Sequence, residues 1–232
     1  MARLNRVVVS QQPHHVIQKA IDGQIIFKDD QDHNIFLDWL KSAAHQFKIL
    51  IHAYVLMPTH YHLLLTPQDQ NGLSKMMQWI GRYYVPYFNH KYKRSGTLWQ
   101  GRFKANLLEA PAYLIQCIQY IESNPVRAAL VKDAYEYLWS SYRHHIGDKE
   151  NPLITDHPMY WSLGNTPFAR EAAYKKLFAE ELTPEQLHVI TQAVLKGWAL
   201  GSHEFKAQIE HQINQRVQPA QRGRPRSLRS TT

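Results

Sequence analysis

The sequence contains a single cysteine, Cys117, among 232 residues, which excludes a disulfide framework and a cysteine-based zinc cluster. It has no run of 18 apolar residues and no basic-then-apolar amino terminus, so neither a membrane span nor an export signal is expected, and the cytoplasm is the expected location. Acid is scarce too: 19 Asp and Glu stand against 27 Lys and Arg, giving a formal charge of +8. Such an excess favours an anionic partner, nucleic acid being the commonest. The scarcity is sharpest between residues 70 and 108, where Lys75, Arg82, Lys91, Lys93, Arg94, Arg102 and Lys104 occur without one Asp or Glu. A solvated face usually mixes both signs, so this stretch reads as a surface that tracks a phosphate backbone.

Apolar content of 44% and aromatic content of 12% suffice for a packed core. Along the chain, residues 15–20 read as a strand, Asp22-Gly23 as a turn and Gln24–Phe27 as a second short extended piece. Asp29 and Asp30 offer a helix cap, and Ile35, Phe36, Trp39, Leu40, Ala43, Ala44 and Phe47 recur at helical spacing. Strands follow at 49–56 and 60–65, close enough across Pro58 to form a hairpin. A helix with Pro86 inside it carries Leu73, Met76, Met77, Ile80, Tyr84, Tyr87 and Phe88 on one face, where the aromatics serve either a core or base stacking. Residues 98–108 read as extended, and Pro111 opens a helix that Pro125 ends at Asn124.

Within the 60–65 strand, His60 and His62 point to one face while Tyr61, Leu63 and Leu65 point to the other. Two imidazoles on one face can share a metal. With 14 His in the chain, however, an H-x-H also arises by chance. Tyr120 and Asn124 stand four residues apart on the later helix and are therefore side-chain neighbours. Asn124 reads equally as a helix terminator.

The composition divides the chain into 1–147, a linker or irregular region at 148–180, a helical region at 181–214 and a basic tail at 215–232 that does not fold by itself. Arg222, Arg224 and Arg226 of that tail lie in Arg-Gly-Arg-Pro, which resembles the core of an AT-hook, a short segment that enters A·T minor grooves. A solvated tail that aids solubility is the other reading.

Three stretches, Leu56-Met57-Pro58-Thr59-His60-Tyr61-His62-Leu63-Leu64, Leu98-Trp99-Gln100-Gly101-Arg102-Phe103-Lys104 and Tyr120-Ile121-Glu122-Ser123-Asn124-Pro125-Val126-Arg127-Ala128, together resemble the HUH single-tyrosine transposases. Within these, the REP-associated tyrosine transposases are the most similar group. The resemblance implies an α+β, ferredoxin-like antiparallel sheet with helices on one face, followed by a small C-terminal helical region. It implies Tyr120 as nucleophile, with His60, His62 and Asn124 holding Mg²⁺ or Mn²⁺; related transposases often carry Gln at the position of Asn124. The implied substrate is single-stranded DNA or a DNA hairpin, cut through a 5′-phosphotyrosyl intermediate by a monomer or homodimer. Two other functions fit parts of the pattern: a DNA-binding regulator on the same fold without cleavage, and a metal-dependent hydrolase, for which the acid-free stretch supplies few ligands.

Overall fold

The computed structural model describes residues 6–219. Its centre is a four-stranded antiparallel sheet in the order β2-β3-β1-β4, built from β1 (His14–Lys19), β2 (Ile49–Met57), β3 (His60–Pro67) and β4 (Lys104–Leu107). The connections run through α1 (Asp30–Gln46) between β1 and β2 and through α2 (Gly72–Lys91) between β3 and β4. This β-α-β-β-α-β order on an antiparallel sheet is the ferredoxin-like arrangement that the motifs imply.

Each local signal has an identifiable cause. Asp29 caps α1 by accepting from the Asp32 backbone N–H, and Asp30 and Asp32 in the first turn complement the helix dipole. The α1 stripe of Phe36, Leu40, Ala43 and Ala44 is buried against α2, where Met76, Ile80, Tyr84 and Phe88 form the facing stripe, so these α2 aromatics are core. Pro86 lies inside α2, and the helix continues past it to Lys91. The β2–β3 hairpin closes through Pro58 and Thr59 with Met57 opposite His60.

Helices cover both faces of the sheet. Val16, Tyr54, Leu56, Tyr61, Leu63 and Leu65 pack under α1 and α2. On the other face, Ala53, Val55, Met57 and Leu64 pack against α3 (Ala110–Glu122), α7 (Pro167–Ala179) and α8 (Pro184–Lys196). The stretch 148–180 is therefore more than irregular chain. Thr166 caps α7, Pro167 opens it, and Tyr174 at its centre is fully buried. Both sheet edges are also sealed by later segments. Ile154 bridges to Ile51 beside β2, while Leu200 takes the Leu107 carbonyl at 2.8 Å beside β4.

Three further sequence expectations are corrected. Gln24–Phe27 is not a strand: β1 already pairs with β3 and β4 on its two sides, and Ile26 N–H goes to the Pro58 carbonyl instead. Of residues 98–108 only Lys104–Leu107 is strand, because Gly101 takes φ +69° and its N–H turns back to the Trp99 carbonyl. Asn124 does not end α3. That helix stops at Glu122, and α4 (Asn124–Arg127) makes one further turn.

Burial of histidine sets an acid limit on this fold. His14 donates from Nδ1 to the Gln12 carbonyl and accepts from Val9 N–H, and His52 donates to the Thr155 carbonyl while hydrogen-bonded to the Thr66 hydroxyl. Both are satisfied as neutral rings, and burial pushes each from 6.5 down to about 4; burial takes His15 down to about 3. Between about pH 6.5 and 4 the unfolded chain binds protons at these positions that the folded chain refuses, so stability falls as pH falls through that window. Each ring contributes a slope of up to about 1.4 kcal/mol per pH unit. Urea unfolding at pH 7, 6 and 5 is expected to show a steadily falling midpoint, and a flat midpoint across this range would contradict the assignment.

Candidate active site

The sheet register assembles the site. Side chains of directly opposed residues share a face, so the pairs Lys19↔His60 and Ile17↔His62 put both histidines on the α3 side of the sheet with Lys19 beside them. His60 and His62 stand with ring centroids 5.2 Å apart. Burial lowers the basicity of both, His60 to about 4 and His62 well below its ordinary value, so at neutral pH both carry a lone pair rather than a second proton.

Both rings are engaged at the same nitrogen. His60 Nδ1 meets the Thr59 hydroxyl at 3.2 Å, and His62 Nδ1 shares a 2.7 Å hydrogen bond with Nε2 of His15, a diagonal neighbour on β1. Each Nε2 is thereby left as the atom available to a ligand, the disposition expected of histidines that bind a cation through Nε2 and are oriented through Nδ1. His15 Nδ1 and, across the strand pair, Asn106 Oδ1 are both buried without a hydrogen-bond partner. Together they offer a donor and an acceptor that could extend the chain of contacts behind His62.

Tyr120 comes to this cluster from α3. Its ring stands edge-on to His62 at 5.8 Å and to His15 at 5.6 Å, and its hydroxyl shares a 3.0 Å hydrogen bond with Thr191 of α8. The Arg127 guanidinium lies 4.4 Å from the centre of the Tyr120 ring. Asn124 sits one turn further on. Pro125 has no N–H to give to the helix, and the carbonyls near the end of α3 find side-chain donors: Asn124 Nδ2 donates to Tyr120 and Ile121, and Arg127 donates to Tyr120. Asn124 Oδ1 takes no part in these bonds. No hydrogen bond or ring contact joins Asn124 to His60 or His62 among the described residues, so the structure groups His60, His62 and Tyr120 directly and holds Asn124 alongside.

Between them, Glu122 anchors the end of α3. It is fully buried and accepts from His145 Nδ1 at 2.6 Å, the Ser141 hydroxyl at 2.5 Å and the Tyr174 hydroxyl at 2.6 Å. Three segments, α3, residues 141–145 and α7, thus meet at the residue midway between Tyr120 and Asn124. Among the described residues no group of three or more His, Cys, Asp or Glu is placed to hold a metal, so a cation here would depend on the histidine pair and an amide oxygen.

The basic residues of 70–108 divide. Lys75, Arg82, Lys93, Arg102 and Lys104 are exposed and have no acidic partner among the described residues. Lys91 is ion-paired within the protein: its ammonium lies 2.8 Å from Asp29 and 2.9 Å from the fully buried Asp32 of α1, with Tyr87 alongside. Arg94 is spent on the Asn89 side chain and the Thr97 carbonyl. Arg222, Arg224 and Arg226 lie outside the described residues. Sequence reasoning missed His15, Lys19, Arg127 and Thr191. His15 and Lys19 are found only once the β1–β3 register is known, and Arg127 carries its signal in its position three residues after Asn124.

The fold and this cluster define a ferredoxin-like domain with a His-Tyr-His strand facing a helix-borne tyrosine. Residues 8–124, slightly more than half of the chain, match the family model of IS200-like transposases, and the chain belongs to that family, which makes it a tyrosine transposase. Among solved structures it is similar to a REP-associated tyrosine transposase bound to a REP hairpin, with 15% identity and a TM-score of 0.52 over 68% of this chain and 93% of that one. A candidate transposase from Deinococcus radiodurans R1 matches at 23% identity and a TM-score of 0.36, over 53% and 97% of the two chains. No curated protein matches the sequence. Among the described residues no helix is long and apolar enough to cross a membrane.

Proposed function

We propose that this transposase cuts and rejoins single-stranded DNA through Tyr120, at a site where Nε2 of His60, Nε2 of His62 and Oδ1 of Asn124 hold Mg²⁺ or Mn²⁺. The observation that carries the reading is the approach of the Tyr120 ring to His62, from a different element, on the face that both histidines share. The Tyr120 oxygen attacks phosphorus and the bond to O3′ breaks. The phenol loses a proton and O3′ gains one, leaving a 5′-phosphotyrosyl link and a free 3′-OH. The link keeps the energy of the bond it replaced, so the reverse attack by a 3′-OH rejoins the strand without ATP.

A divalent cation, when bound, polarises the non-bridging phosphate oxygens and offsets the charge that develops on them. The chain's own groups do the rest. Lys19, opposite His60, and Arg127, against the Tyr120 ring, bring positive charge to the site, and Thr191 holds the Tyr120 hydroxyl until substrate takes its place. Residues 1–147 supply the chemistry in this reading, and 181–214 act as an accessory region that reaches the site through α8. The hairpin held by the structurally similar transposase makes a DNA hairpin with a single-stranded flank the first substrate to try.

The 7% exposure of Tyr120 and its bond to Thr191 also suit a regulator that binds without cutting. A library of labelled hairpins incubated with the protein and Mn²⁺ separates the two. A covalent adduct that survives denaturing gels supports cleavage, whereas retained binding with no adduct on any member supports the regulator.

A further inference from the structure

Two cavities meet along the β4 side of the molecule. One, of 530 Å³, is lined by Lys75, Gln78, Trp99, Arg102 and Phe103 among others, with Arg6 at its end. The second, of 290 Å³, shares Arg6, Arg102 and Phe103 and continues past Lys104 to Lys196, Trp198 and Arg216. Every charged residue lining either cavity is a Lys or Arg. Its walls come from separate parts of the chain: the core gives 100–105, the end of α8 gives Lys196, and the segment after α9 (His203–Ile213) gives Arg216.

These segments are tied together by backbone bonds. Ala199 N–H donates to the Val217 carbonyl and Leu200 N–H to the Leu107 carbonyl, both at 2.8 Å, while Gly197 in the left-handed conformation (φ +73°) ends α8 against β4. Lys196 and Arg216 are exposed and have no acidic partner among the described residues. Holding Lys104, Arg102, Lys196 and Arg216 around one concavity works against their mutual repulsion, which a bound polyanion relieves. The groove also lies beside the candidate site. Ile17 pairs with Lys104 on one side and His62 on the other, so Lys104 shares a sheet face with His62 at two strand spacings, roughly 10 Å.

We propose that this groove binds the phosphodiester backbone of the DNA next to the cleaved strand, and that Lys196 and Arg216, both beyond the family-matched residues 8–124, are phosphate contacts supplied by the C-terminal region. The inference rests on the DNA-processing reading above. Trp198, half-buried, adds aromatic surface to the same walls.

The test uses the full chain and fluorescence anisotropy with two labelled probes, a DNA hairpin and an unstructured single strand, from 50 to 300 mM salt. Lys196→Ala/Arg216→Ala is expected to weaken binding about tenfold at 0.15 M salt and to lower the slope of log K against log salt by about 1.8 on duplex or about 1.4 on single strand. Loss confined to the hairpin places the stem in the groove, and loss on both probes places the single strand there. Lys41→Ala/Lys176→Ala removes the same charge from exposed positions on α1 and α7 and should leave the slope unchanged. An unaltered slope in the Lys196/Arg216 variant, or an equal fall in the control, overturns the groove while leaving the DNA-processing reading intact. Wild-type protein that binds neither probe overturns both.

Discussion

Tyr120→Phe is expected to eliminate the covalent protein-DNA adduct while leaving the fold and DNA affinity close to wild type. The substitution removes one oxygen. It keeps the edge-on ring contacts with His15 and His62 and the Arg127 guanidinium against the ring, and gives up only the hydrogen bond to Thr191. The stability cost should therefore be near that of one neutral hydrogen bond, about 1 kcal/mol. Loss of the adduct, by contrast, should be complete, because no second phenol on α3 can reach the same phosphate. Tyr113 lies two turns before Tyr120 on that helix, roughly 10 Å along its axis at 1.5 Å per residue. Peptide mapping of the wild-type adduct should place the nucleotide on the peptide containing Tyr120. An adduct formed by the Phe variant, or mapped to Tyr113, would show that the central residue is misassigned.

Local signals carried most of the fold into the sequence. The Asp29 cap, the α1 stripe, the β2–β3 hairpin and the Pro111 helix start all depend on neighbours within a few residues, and each is where the sequence puts it. What was not legible falls where the deciding partner is distant. Lys91 sits in a stretch without acid, yet Asp29 and Asp32 reach it from α1, some 60 residues away. Ile26 was free to extend until the Pro58 carbonyl took its N–H.

The candidate site divides in the same way. The face shared by His60 and His62 follows from strand alternation alone, and the proximity of Tyr120 to Asn124 from helix geometry. The approach of Tyr120 to His62 needs α3 folded onto the sheet. Thr191 needs α8 folded onto α3, and nothing near it in sequence marks it.

The histidine pair gives the second large effect, and His15 makes it graded. His62→Ala and His60→Ala are each expected to abolish adduct formation and to remove high-affinity Mn²⁺ binding, measured directly by the loss of the free-Mn²⁺ EPR signal on titration. DNA affinity should survive both, since the exposed cations at Lys75, Arg102 and Lys104 are untouched. For His62 Nε2 to serve as ligand, its Nδ1 must carry the proton and donate it to His15 Nε2. His15→Ala removes that acceptor without removing a ligand, so Mn²⁺ affinity should fall by about 10- to 100-fold rather than vanish. His15→Gln can return an acceptor oxygen to Nδ1 and should recover part of the loss, which a purely space-filling role for His15 would not predict. Undiminished Mn²⁺ binding by the His60→Ala/His62→Ala double variant, or full adduct formation by wild type in excess EDTA, would remove the cation from this site.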